Sequence, residues 1–167
     1  MGNDGMKQVA ARAALAVSLL LAASLAEAVL PPGTTACSTE LPSSASSQPS
    51  VHVLLSPRMP YALKEWSRMA DLAGQAGFRI LTYRDPRVSL TEWQSAVNAE
   101  DLGELRTLPP LDLDIARACD MLNHAPTAIV ARCGHTHPWP LRGVMNDRSW
   151  RHVLDARLSD LEALPCP

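Results

Sequence analysis

The chain lacks the patterns that most directly carry a chemistry. It has no Walker-type phosphate loop, no dinucleotide glycine pattern and no HExxH, and Ser56 has no evident His or Asp partner in the sequence. It also lacks an excess of positive charge. Fifteen Lys and Arg stand against 17 Asp and Glu, a formal net charge of −2, so no basic footprint exists for neutralising phosphates and direct nucleic-acid binding is not expected. No apolar run reaches the roughly 20 residues of a membrane-spanning helix. The 167 residues are enough for one domain with a real core and too few for two of ordinary size.

The run LLSPRMPYALKEW, residues 54–66, sharpens the theme of absence. An apolar strand, a proline-flanked turn and a helix start make a place where proteins hold anions or reactive thiolates, because unpaired N–H groups and the helix dipole favour negative charge. Here the turn is Ser56, Pro57, Arg58, Met59 and Pro60, with no cysteine. Pro60 at a first helical position and an exposed Arg58 have a purely structural reading. The four cysteines are Cys37, Cys119, Cys133 and Cys166.

Residues 1–28 read as a secretory signal. Lys7 and Arg12 give a positive start, AALAVSLLLAASLA an apolar stretch, and Ala26-Glu27-Ala28 a small-x-small cleavage site. The expected location is the periplasm, with no membrane span after cleavage; an uncleaved segment kept as a membrane anchor is the alternative. Residues 29–50, rich in Ser, Pro and Thr, read as a flexible linker, residues 51–164 as the domain and 165–167 as a tail. In an oxidising compartment the cysteines are disulfide candidates with three complete pairings. Cys119 with Cys133 is disfavoured by distance along the fold, and Cys37 with Cys166 would join the two ends of the domain.

The periodicities predict strands at 51–55, 78–83 and 127–132, with a hairpin turn at 133–135 returning through 136–142. Helices are expected from Tyr61 to the Gly74/Gly77 stop, from the Ser89/Glu92 capping box to about Ala99, over 112–123, and from Asn146 or Asp147 onward. A βαβ unit, helices, a hairpin and a closing helix imply an α/β fold with a mixed sheet of about four strands between helices.

Cys133, His135 and His137 sit at alternate positions and would face one way on an extended strand, as a soft or borderline metal requires. Gly134 bends them around a turn, so no metal is expected. No cofactor is expected either. Arg84, Asp85 and Arg87 surround Pro86 at the strand edge where open α/β sheets bind ligands, with a local Arg–Asp pair the plainer reading. Trp139, between prolines, reads as an interface anchor or a cap on the sheet edge.

The segment HAPTAIVARCGH, a returning strand, Gly143 and a closing amphipathic helix resemble the thioredoxin pattern. That resemblance implies that Pro126 is a cis-proline facing the turn at 56–60, and the turn has no CxxC. The strand-SPRMP start, RILTYRDPRV and HPWPLRGVMNDRSWRHVLDARL resemble exported proteins of integrating conjugative elements in Gram-negative bacteria. More distantly they resemble the TrbC pilin-assembly proteins of F-type conjugation. This likeness implies a periplasmic component or assembly factor of a conjugative type IV secretion system, with other envelope proteins as partners. On that reading the protein is non-enzymatic and its interaction surface includes Arg58, Met59, Pro60, Arg84, Asp85 and Trp139. The competing expectations are a thiol–disulfide oxidoreductase or isomerase using relocated cysteines such as Cys133, and a metal carrier using the turn at 133–137.

Overall fold

The computed structural model describes Cys37, Leu41 and residues 46–59, 61–103 and 105–166. The segment read as a signal, together with Pro60, lies outside these residues.

Six-residue runs of mainly β-branched and apolar side chains build the sheet. Strand β1 (Ser50–Leu55) runs parallel to β2 (Arg79–Arg84) and antiparallel to β3 (Thr127–Arg132). Two short strands, β4 (His135–Thr136) and β5 (Leu141–Arg142), both pair with β3. They are one return strand interrupted at 137–140, where Pro138 and Pro140 cannot supply ladder N–H groups. The β3–β4 turn has two central residues, Cys133 and Gly134, both at positive φ (53° and 78°). Two left-handed residues between paired strands make the twist-matched hairpin turn that the right-handed sheet favours.

Helices α1 (Trp66–Gln75), α2 (Leu90–Ala99), α3 (Leu113–Ala118) and α4 (Asp147–Glu162) complete the fold. Side chains alternate along each strand, so the sheet has two buried faces. Val51, Val53 and Leu55 pack with Met69 and Leu72 of α1 and with Trp150 and Leu154 of α4. On the other face, Leu54, Leu81 and Ile129 pack with Ala116 of α3, Met121, Leu41 and Cys37.

Several boundaries differ from expectation. Helix α1 begins at Trp66 rather than near Tyr61, because Tyr61 is left-handed (φ 67°) and residues 61–65 form successive turns. The expectation of Pro60 at a first helical position falls on a residue outside the described ones. Helix α3 stops at Ala118 instead of reaching 123. Asp120 turns left-handed, its N–H donates to the Arg117 carbonyl at 2.9 Å, and the Met121 N–H donates to the Ala116 carbonyl at 2.9 Å. This paired closure satisfies the last carbonyls and drops Met121 into the core.

The expected 29–50 linker is also corrected: Cys37 and Leu41 are buried, and the Cys133 N–H donates to the Ser46 carbonyl at 2.8 Å. The domain extends further at its other end, because Cys166, in the expected tail, is bonded to Cys133.

Candidate functional site

The C-terminal ends of the parallel strands β1 and β2 carry two loops side by side. The Asp85 N–H donates to the Leu55 carbonyl at 2.9 Å, so the loop after β2 continues the ladder and lies against the turn 56–59. Extending the β1–β3 register past Leu54↔Thr127 sets Ser56 across from Ala125. The Ala125–Pro126 peptide bond is cis, and it brings the segment before β3 to the same edge.

Within this edge, polar groups are fixed by short local contacts. Asp85 is buried; its Oδ1 accepts from the Arg87 N–H and Nε, both at 2.9 Å, and its Oδ2 from Nη2 at 2.8 Å. Burial opposes ionisation of Asp85, but the Arg87 contacts outweigh it and hold the carboxyl below the ordinary range. The nearby Ser56 hydroxyl favours the same ionised form without closing a hydrogen bond of ordinary geometry. Arg58 donates through Nε and Nη2 to Glu92 of α2, both at 2.8 Å. Glu92 thus leaves half of the expected capping box unmade: its N–H is received by Ser89 Oγ at 3.1 Å, while its carboxylate serves Arg58.

The expected interaction surface is therefore only partly a surface. Arg58 is exposed and Met59 half-buried. Asp85 is buried, so it is corrected from contact residue to anchor of its own loop, and Arg84 is half-buried with Nη1 donating to the Val88 carbonyl. Pro60 lies outside the described residues. Trp139 is 59% exposed, with the Arg157 guanidinium 5.1 Å from its ring centroid. No hydrogen bond or ring contact links Trp139 to the 56–59 turn among the described residues.

The cysteines are paired Cys37–Cys119 and Cys133–Cys166. Cys37 with Cys166 is thereby corrected: Cys37 folds onto the face covered by α3, while the end of α4 lies over the β3–β4 turn. Both partners of the first bond are buried, whereas in the second Cys133 is buried and Cys166 exposed. A disulfide with one exposed cysteine is more open to attack by a thiolate than one whose two cysteines are buried.

With Cys133 in a disulfide, the candidate Cys133/His135/His137 set has no thiolate. Its histidines are also engaged elsewhere: His135 Nε2 donates to the Pro165 carbonyl at 3.1 Å, and His137 Nε2 donates to Asp160 Oδ2 at 3.1 Å. His137 Nδ1 accepts the Trp139 N–H at 3.2 Å, which fixes the neutral tautomer. Burial lowers the pKa of His137, Asp160 opposes that shift, and Arg157 adds to it.

Sequence reasoning missed one buried polar chain. Tyr83 OH and His52 Nδ1 are 3.0 Å apart, His52 Nε2 and Ser50 Oγ 3.0 Å, and Ser50 Oγ lies 3.4 Å from the Ala131 carbonyl. A carbonyl only accepts, so Ser50 donates to it, His52 Nε2–H donates to Ser50, and Nδ1 is left to accept from Tyr83. Burial, with Arg79 adding to it, lowers His52 to about 4. Burial also raises Tyr83 to about 12, against the opposing pull of Arg79. The signal was present as a His and a Tyr on adjacent apolar strands, but their pairing depends on register.

No family model matches the chain, and no curated protein matches it. Solved structures do. The chain is similar to MTB dsbF in its mixed oxidized and reduced forms, at 16% identity over 68% of this chain and 83% of that one, with a TM-score of 0.53. A thiol:disulfide interchange protein of the thioredoxin family from Chlorobium tepidum TLS matches at 11% identity over 69% and 83%, TM-score 0.52. The pneumococcal exposed lipoprotein thioredoxin Etrx1 from Streptococcus pneumoniae matches at 16% over 72% and 87%, TM-score 0.52.

The fold is thioredoxin-like. The expectation of a non-enzymatic protein is withdrawn on this finding: the fold is shared with thiol:disulfide interchange proteins, and the chain carries two disulfides, one with an exposed cysteine. A turn without thiols at 56–59 excludes exchange at that turn and nowhere else.

Proposed function

We propose that the chain is an exported thiol–disulfide oxidoreductase whose exchanging pair is Cys133–Cys166, relocated from the turn after β1 to the β3–β4 hairpin. The observation that carries this reading is the asymmetry of that bond, Cys166 being an exposed residue past the end of α4 and Cys133 buried in a tight turn. A thiolate of a client dithiol attacks Cys166 Sγ. The S–S bond breaks, its electron pair leaves on Cys133 Sγ, and the client is held to Cys166 in a mixed disulfide. The client's second thiolate then attacks the client sulfur and expels Cys166. The client dithiol is oxidised by two electrons, and Cys133 and Cys166 end as thiols carrying the two protons.

The setting belongs to the same proposal. The sequence resemblance to conjugative-element proteins supports a place in the envelope of a cell carrying such an element, with other envelope proteins of a conjugation apparatus as clients. No described helix is long and apolar enough to cross a membrane.

Mixing the oxidised protein with a reduced dithiol peptide tests the chemistry. One equivalent of peptide disulfide should form per protein, unchanged by Cys37→Ser with Cys119→Ser and abolished by Cys133→Ser with Cys166→Ser. No thiol loss from the peptide, or activity that survives the second pair of substitutions, overturns the reading. Deleting the gene in a donor cell and scoring transfer frequency tests the setting separately.

A further inference from the structure

A cavity of about 310 Å³ opens at the sheet edge that holds the cis Ala125–Pro126 bond, between the 56–59 turn, the loop after β2 and residues 122–123. Within its polar lining the Asp85 carboxylate is engaged by Arg87, Oδ1 receiving two donors and Oδ2 one. Several donors are not engaged. Arg58 spends Nε and Nη2 on Glu92, and Arg87 spends Nε and Nη2 on Asp85, so Nη1 of each guanidinium has no protein acceptor among the described residues. The Ser56 side chain, 1% exposed, lines the same cavity, and its hydroxyl lies near Asp85 without closing a hydrogen bond of ordinary geometry.

A buried hydroxyl without a well-formed hydrogen bond is stabilised by an acceptor that enters the cavity. The two guanidiniums stand close enough to repel each other, which an anion between them also relieves. Charge limits the kind of anion. Arg58 and Arg87 are already matched by Glu92 and Asp85, so a monoanion adds one charge to a neutral group, while a dianion would meet two fixed carboxylates. Met59 and Leu122 supply an apolar wall for the carbon chain that bears the charge.

We infer that this cavity is a carboxylate-binding site, formed by the Ser56 hydroxyl and the outer Nη1 groups of Arg58 and Arg87, that takes one carboxylate from a protein partner. That carboxylate comes from either an acidic side chain or a free C-terminus. The site is distinct from Cys133–Cys166: β3 separates the two, with Pro126 before its first residue and Cys133 after its last. Its failure would leave the exchange reading untouched, and the reverse also holds.

The test is amide chemical-shift titration of the full oxidised chain with three N-acetylated tripeptides. One is Ala-Leu-Ala free acid, the second its C-terminal amide, and the third Ala-Glu-Ala amide. Shifts concentrated at 56–59 and 85–88 with the free acid alone assign a C-terminal source; with the Glu peptide alone, or with both acids, a side-chain carboxylate is accepted as well. No shift with either acid, or equal shifts with the uncharged peptide, overturns the site. Ser56→Ala and Arg58→Gln should each weaken binding at least fivefold while leaving Asp85–Arg87 intact. Unchanged affinity in both variants overturns the assignment of donors. Sodium chloride at 0.5 M should weaken binding of the acid peptides, since Arg58 is exposed to screening.

Discussion

Asp85 and Arg87 are joined at two points, Nε to Oδ1 at 2.9 Å and Nη2 to Oδ2 at 2.8 Å, with the carboxylate buried and the guanidinium 44% exposed. Removing the carboxylate frees a cation that water can still solvate. The Asp85→Asn variant should therefore lose about 1–2 kcal/mol at pH 7, less than a fully buried pair would cost. Because the folded carboxyl titrates below the unfolded value of about 3.9, its stabilisation is complete above that pH and disappears as pH falls through the folded value. Urea unfolding at pH 7 and pH 3 should show the gap between wild type and variant closing. A gap that is constant with pH would mean that Asp85 is not the titrating anchor.

His52 sets a different pH window. The unfolded imidazole takes a proton near 6.5 and the folded one only near 4, so between these values the unfolded chain binds more protons. Stability should be full above pH 6.5, fall by up to about 3 kcal/mol as pH drops to 4, and level off below. Ser50, Tyr83 and the charge of Arg79 are the groups that bear on this ring. His52→Phe with Tyr83→Phe removes both polar partners together and should flatten the slope between pH 4.5 and 7.5. What remains of it would be due to other groups, His137 among them.

Graded reduction should separate the two disulfides. Under limiting dithiothreitol followed by alkylation and peptide mass analysis, Cys133 and Cys166 should be labelled at least tenfold faster than Cys37 and Cys119, because only Cys166 is exposed. Loop length points the other way for stability. Cross-linking across 82 residues restricts the unfolded chain by about 4.5 kcal/mol and across 33 by about 3.7. The bond that opens first should be the less costly one to lose.

The hairpin turn is sensitive at Gly134, whose φ of 78° is disfavoured for any residue with a Cβ. No atom lies within 4 Å of an added Cβ, so Gly134→Ala should cost about 1–2 kcal/mol from backbone conformation alone. Thermal unfolding would show it, and Gly134→Asn should recover part of the loss.

Much of this architecture is legible in the sequence where the signal is local. Val51, Val53 and Leu55 alternate into one face, Ser89 caps α2, and the 127–132 run forms its strand. Signals that depend on distant partners are not legible. Glu92 has capping-box spacing, yet its carboxylate is drawn to Arg58, 34 residues away. The helical stripe from Leu63 gives no sign that Tyr61 turns left-handed and delays α1 to Trp66. A Ser, Pro and Thr composition argues for looseness around residues 37–41, but one covalent bond to Cys119 outweighs it. The turn at 56–59 visibly holds no thiol, whereas the Cys133–Cys166 pairing joins positions 33 residues apart and is not legible in the sequence.

The Cys37–Cys119 bond also makes the finished shape depend on where the chain is. In a compartment that keeps thiols reduced, nothing covalent holds Cys37 and Leu41 over Leu54, Leu81 and Ile129, and the chain must order that segment by packing alone. One face of the sheet is then less firmly covered before oxidation than after it. That face of the sheet is covalently closed only where Cys37 and Cys119 are oxidised.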